Sequence, residues 1–87
     1  MNSRHRRTLQ AIFTEPAPAN IAWREIESLL RALGADLKEG AGSRIWIRLN
    51  NRRSVFHRPH PQPQTDRGAV KSIRRFLAEA GVTPDTV

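Results

Sequence analysis

Apolar residues recur at two different periods along this 87-residue chain. In the first third the steps are three and four: Leu9, Ile12 and Phe13 lie on one stripe, and Trp23, Ile26, Leu29, Leu30 and Leu33 on another. Such spacing turns one side of an α-helix toward a core. It predicts a first helix over residues 4–14 with Ser3 as N-cap, and a second over residues 21–33 with Asn20 as N-cap and Gly34 as its stop. Glu15-Pro16-Ala17-Pro18-Ala19 separates the two, because proline cannot continue a helix. From Ala35 to Pro59 the period falls to two. Ile45, Ile47 and Leu49 alternate with Arg44, Trp46 and Arg48, as in a strand buried on one side. Leu37 among polar neighbours marks a shorter strand before it, and Gly40-Ala41-Gly42-Ser43 makes the turn between them. Asn50-Asn51 suits the positive dihedrals of a tight hairpin, so residues 53–57 return as a further strand. Pro59, Pro61 and Pro63 lack a backbone donor and should end strand pairing. Helical spacing resumes after Thr65-Asp66, with Val70, Ile73, Phe76, Leu77 and Ala80 on the stripe and Gly81 closing the helix. Residues 83–87 read as a frayed tail.

Helix, helix, three short antiparallel strands and helix make an α+β chain. The compact solution is a small three-stranded antiparallel sheet with helices on one face. Trp23 lies on the apolar stripe and belongs to the core. At 87 residues the chain has material for one domain. Its longest apolar runs are two or three residues, against the roughly 20 that a membrane span requires. The basic N-terminus, Met1 to Arg7, is followed by no apolar stretch of signal-peptide length, so the expected location is cytoplasmic, with no membrane contact. The absence of cysteine excludes a disulfide framework, a thiolate nucleophile and a zinc ribbon.

Charge changes this picture. The net charge is +7, and thirteen of the fifteen basic residues are arginine. Nine basic residues and a single acidic one fall between positions 40 and 75. Guanidinium grips phosphate bidentately and stacks on bases, so an arginine excess concentrated in one stretch points toward nucleic acid.

Three groups of side chains could carry chemistry. Arg44, Trp46 and Arg48 share one strand face, where two guanidinium groups flank an indole; such a face can hold phosphates and stack a base at once. Alternatively Trp46 is covered by the first helix or by an oligomer partner. Arg52 and Arg53 at the hairpin tip, and Arg58 beyond it, extend the basic surface. Lys71, Arg74 and Arg75 follow at helical spacing away from the apolar stripe, either as a basic ridge for a phosphate backbone or as a solvated face. His57 and His60 frame Arg58 and Pro59. The imidazole pair could divide general-base and general-acid roles in RNA cleavage, with Arg58 stabilising the dianionic transition state, or serve as ordinary loop residues. No metal ligand set is expected, since Asp66 is better used as a helix cap, and no cofactor is expected. Gly40-Ala41-Gly42-Ser43 lacks the Gly-Lys pair of a nucleotide-binding loop.

In order and spacing, Leu29-Leu30 through Leu33-Gly34, Gly42-Ser43-Arg44 opening a strand, Arg52-Arg53-Ser54-Val55, His60-Pro61, and Gly68-Ala69-Val70-Lys71-Ser72-Ile73 with Ala80-Gly81 resemble the HicA family of toxins. The resemblance spans residues 20–82, leaving 1–19 as an N-terminal helical extension and 83–87 as a flexible tail. It implies a double-stranded-RNA-binding-like α-β-β-β-α fold and metal-independent cleavage of messenger RNA. It also implies a HicB-type antitoxin that occludes the RNA face. The family's catalytic histidine ordinarily follows the Gly-Ser pair, where this chain has Arg44. Arginine stays protonated near neutral pH and is a poor general base. Three readings follow: His57 or His60 has taken the role, the protein is a weak or dead nuclease that still binds RNA, or the target differs. A reading from another class is a non-catalytic RNA- or DNA-binding or antitoxin-sequestering module. His60 matches the family's His-Pro position. The expected catalytic positions are therefore Arg44, His57 and His60. The expected RNA contacts are Gly42, Ser43, Trp46, Arg48, Arg52, Arg53, Arg58, Lys71, Arg74 and Arg75.

Overall fold

A computed structural model describes residues 1–60 and 63–87. The elements run α1 (Ser3–Ile12), β1 (Ile21–Ala22), α2 (Trp23–Ala32), β2 (Asp36–Glu39), β3 (Arg44–Leu49), β4 (Arg52–His57), β5 (Gln64–Thr65) and α3 (Arg67–Glu79). Strands β2, β3 and β4 form an antiparallel sheet in that order, and the fold is α+β as the periodicity predicts. Ile45, Ile47 and Leu49 of the central strand are at most 2% exposed, whereas Arg44, Trp46 and Arg48 between them are open to solvent. The buried side meets Leu9 and Ile12 of α1, Ile26, Leu29 and Leu30 of α2, and Val70, Ile73 and Leu77 of α3 in one cluster. Phe56 joins from β4, its ring edge-on to Phe76 at 5.8 Å and tilted against Trp23 at 6.5 Å. Trp23 is thus a core residue, as its place on the stripe implies.

The β3–β4 hairpin turns on Asn50 and Asn51, with φ of 49° and 69°. Asparagine tolerates this left-handed region better than most residues. The tip is also tied down, because Asn50 Nδ2 donates to the Ala80 carbonyl at the end of α3. Helices α2 and α3 close alike. After α2 the Gly34 N–H donates to Arg31 O and the Ala35 N–H to Leu30 O; after α3 the Gly81 N–H donates to Ala78 O and the Val82 N–H to Leu77 O. Both are Schellman closures, whose left-handed residue is glycine at φ of 91° and 84°.

The boundaries differ from the sequence expectations at both ends of α1, before α2, at Pro63, at the start of β4 and at the C-terminus. Asn2, not Ser3, caps α1, its Oδ1 accepting from the His5 N–H at 2.8 Å, and α1 ends at Ile12 rather than at residue 14. Asn20 does not cap α2. Instead Ile21–Ala22 pairs antiparallel with Gln64–Thr65, and the Trp23 N–H that opens the helix donates to the Pro63 carbonyl. Proline lacks a donor but keeps its acceptor, so Pro63 flanks a short ladder rather than ending one. The expectation for Pro61 lies outside the described residues. Asp66 does cap α3, accepting from the Ala69 N–H. Finally β4 begins one residue early, at Arg52, and the last residues form a turn in which Thr83 N–H donates to Thr86 Oγ1.

The N-terminal extension is built into the core. Leu9 and Ile12 are fully buried and Ala17 nearly so. Polar ties hold it as well: Arg4 pairs bidentately with Glu25, His5 meets Ser28 Oγ at 2.8 Å, and Arg67 Nε donates to Ala17 O. Truncating Ile12 to alanine is therefore expected to cost about 2–5 kcal/mol, the range for a large-to-small change in a packed core. Urea unfolding should show one transition with a lowered midpoint. A change below about 0.5 kcal/mol would mean that α1 rests on the surface.

Candidate nucleic-acid interface

Three helices cover one side of the sheet, so the strand alternation leaves the other side bare. Cross-strand register arranges that bare side in three rows. Arg44 stands opposite His57; Lys38, Trp46 and Val55 line up across β2, β3 and β4; and Asp36, Arg48 and Arg53 follow. All eight are exposed. The Arg58 N–H donates to Ser43 O at 2.8 Å, which makes Arg44 and His57 a pair without ladder hydrogen bonds between them. Side chains are closest at such pairs, with Cβ atoms about 4.5–5.5 Å apart. Gly42 and Ser43 lie exposed in the turn that delivers Arg44 to this position, and Arg44 Nε donates to Ala41 O at 3.3 Å.

The cations of this face are available. Arg48 pairs with Asp36 at 2.6 Å, but both side chains are more than half exposed. An exposed pair contributes only about 0–1 kcal/mol, so a phosphate can displace the carboxylate. Lys38, Arg44 and Arg53 meet no carboxylate within 4 Å among the described residues.

Other expected contacts are committed elsewhere. Arg58, read from sequence as a phosphate ligand between two histidines, turns instead to the helix side. Its Nε and Nη2 donate to the two oxygens of Glu27 at 2.6 and 3.2 Å, and its Nη1 donates to Glu39 at 2.6 Å. Arg74, expected on an outward ridge, is only 18% exposed in its side chain. It donates to the Ile12 and Thr14 carbonyls at 2.7 and 2.8 Å and pairs with Glu15, stapling the end of α1 to α3. Arg52 pairs across to Glu79 of α3 at 3.3 Å. Lys71 and Arg75 stay exposed, so the expected ridge reduces to these two. A groove of about 480 Å³ between β4 and α3 connects Arg75 with Arg53. His57 ends β4 on the open face and His60 follows in the exposed loop, but Arg58 does not join them.

Sequence reasoning missed the group that draws Arg58 away. Glu27 interrupts the apolar run of α2 and is 8% exposed, accepting from Trp23 Nε1 as well as from Arg58. Burial pushes its carboxyl up, but the hydrogen bonds from Arg58 and Trp23 outweigh that, and the group sits below its ordinary value. Hydrogen bonds from Arg58 likewise lower Glu39, and the two carboxylates together hold Arg58 more firmly in its charged form. An acidic residue one position off an apolar stripe, with an unplaced Trp N–H four residues before it, is the signal available in the sequence.

A family model described as HicA toxin of bacterial toxin-antitoxin matches residues 23–82. The chain belongs to the HicA toxin family. No curated protein and no solved structure gave a match. The HicA match begins at Trp23, the first residue of α2, and ends at Val82, just past the closure of α3. The extension that Arg74 staples in place therefore lies outside the HicA match, and the open sheet face lies wholly within it.

Because Glu27 is lowered from an ordinary value of 4.5, its contribution is present above about pH 4.5 and is lost as pH falls through the depressed folded value. Glu27→Gln should reduce stability at pH 7 by about 1–3 kcal/mol and flatten the acid limb of the stability profile. Denaturant melts of both proteins between pH 3 and 7 read this directly. Parallel acid limbs would contradict it.

Proposed function

We propose that this HicA-family protein is a toxin that binds RNA on its open sheet face and cleaves messenger RNA, inhibiting translation. A HicB-type antitoxin neutralises it by covering that face. The observation that carries the reading is the opposed Arg44 and His57 on a bare, cation-rich surface. Arg44 occupies the position of the family's histidine and cannot be the base. His57, directly across the strand pair, can reach the same ligand atom.

The reaction assigned to this pair is transesterification. Neutral His57 removes the proton of a ribose 2′-hydroxyl, and the oxygen attacks the adjacent phosphorus. Arg44, permanently charged, neutralises the extra negative charge that builds on the phosphoryl oxygens. The bond from phosphorus to the 5′-oxygen breaks, and that oxygen takes up a proton from His60 or water. The products are a 2′,3′-cyclic phosphate and a 5′-hydroxyl. No step calls on a carboxylate or a metal.

A second reading has its own support, because a chain with arginine at the histidine position could bind RNA or sequester an antitoxin without cleaving. Purified protein incubated with RNA in EDTA separates the two. Cleavage should yield cyclic-phosphate ends, and His57→Ala should slow it about 10²- to 10⁴-fold, the usual contribution of one positioned acid–base group. Equal cleavage by His57→Ala would remove the mechanism. Intact RNA that is nevertheless bound by wild type would favour the non-catalytic module.

A further inference from the structure

Trp46 is the large aromatic that the fold leaves at the surface. Its side of β3 is bare, and the residue is 51% exposed, while Trp23, Phe56 and Phe76 are each at most 8% exposed. The indole leans toward Gly40 on the neighbouring chain segment: a Cβ there would stand 3.2 Å from the indole Nε1. The lack of a side chain at Gly40 thus gives the ring a place to lie. Beside it is a cleft of about 480 Å³ lined by Asp36, Lys38, Glu39, Arg48 and Arg53. An exposed aromatic amid an apolar, charge-poor patch would suit a protein partner, since the centres of protein interfaces are depleted of charge. Trp46 instead has Arg44 and Arg48 two residues away along its strand and Lys38 directly across it. Cations around an aromatic platform suit a nucleobase with its phosphates.

We infer that Trp46 is a nucleobase-stacking subsite and that it restricts this protein to an unpaired segment of RNA. The inference rests on the RNA reading above and goes beyond it to the form of the substrate. A base laid on the Trp46 indole gives one whole face to the ring, so on that side it has no stacked neighbour from its own strand. Inside a duplex both faces of every base are covered by stacked neighbours, and only the two terminal pairs keep an open face.

The two tryptophans provide the test, one open and one buried. A 2′-O-methyl RNA oligonucleotide, which cannot undergo the 2′-hydroxyl reaction, is titrated into wild type and into Trp46→Leu. Emission is recorded alongside the anisotropy of a labelled copy of the oligonucleotide. The single strand should quench the Trp46 emission and leave the Trp23 emission seen in Trp46→Leu unchanged. Trp46→Leu should bind the single strand about 5- to 150-fold more weakly, Trp46→Phe should keep most of the affinity, and a long blunt duplex, whose open base faces are confined to its two ends, should quench far less per nucleotide. Unchanged melting temperatures would show that both variants are folded. Undiminished binding by Trp46→Leu overturns the stacking subsite while the RNA reading stands, and would assign the exposed ring to a protein partner. Equal quenching by the duplex overturns the requirement for an unpaired base. Wild-type protein that binds neither RNA form overturns the underlying RNA reading together with the subsite.

Discussion

The helices cover one face of the three-stranded sheet, and β3 decides which. Its alternation sends Ile45, Ile47 and Leu49 under three helices and leaves Arg44, Trp46 and Arg48 in solvent. All else follows from that partition. Apolar surface buried on the helix side supplies the driving force for folding, at about 25 cal/mol per Å². The opposite face contributes little to the core and is free to carry charge that a core could not accept.

The same partition sorts the arginines. On the helix side three of the expected phosphate ligands have found protein acceptors, Arg58 the buried Glu27 and the exposed Glu39, Arg74 two carbonyls and Glu15, and Arg52 Glu79, while Lys71 and Arg75 stay exposed. These contacts tie α2 to the sheet, α1 to α3, and the hairpin to α3. On the open face Arg44, Arg48 and Arg53 are exposed, and the one carboxylate paired there, Asp36, is itself in water. A basic segment that looks uniform along the sequence is thus two populations in space, one structural and one available.

Much of this was legible beforehand, and the limits have physical causes. The two periods gave the helices and the three-stranded sheet, because repeated burial leaves a repeated pattern. Asn50-Asn51 and Gly81 announced their turns through the dihedrals they tolerate. The pairing of Ile21–Ala22 with Gln64–Thr65 was invisible, since two residues carry no period and their partners lie more than forty positions apart. Capping was legible at Asp66 but not at the first helix, where Asn2 and Ser3 are both competent and geometry chooses. The fates of Arg58 and Arg74 were hidden for a related reason: a guanidinium on an exposed pattern position can still reach a distant acceptor, and sequence spacing does not locate acceptors 31 or 62 residues away. The cross-strand meeting of Arg44 with His57 needed the register, which the hairpin turn sets.

Family membership and this geometry bear on each other at Arg44. The resemblance implies a histidine where this chain has Arg44, and the register puts His57 opposite Arg44, so an imidazole and a permanent cation share one place on the open face. Whether that face is where RNA lies is best tested by the salt dependence of RNA binding. Removing one side chain that neutralises a phosphate should lower the slope of log affinity against log salt by about one. Arg48→Ala and Arg53→Ala should each do so, while Arg74→Ala, measured where it remains folded, should leave the slope at the wild-type value. Unchanged slopes for Arg48→Ala and Arg53→Ala, or a lowered slope for Arg74→Ala, would contradict the division of arginines between fold and open face.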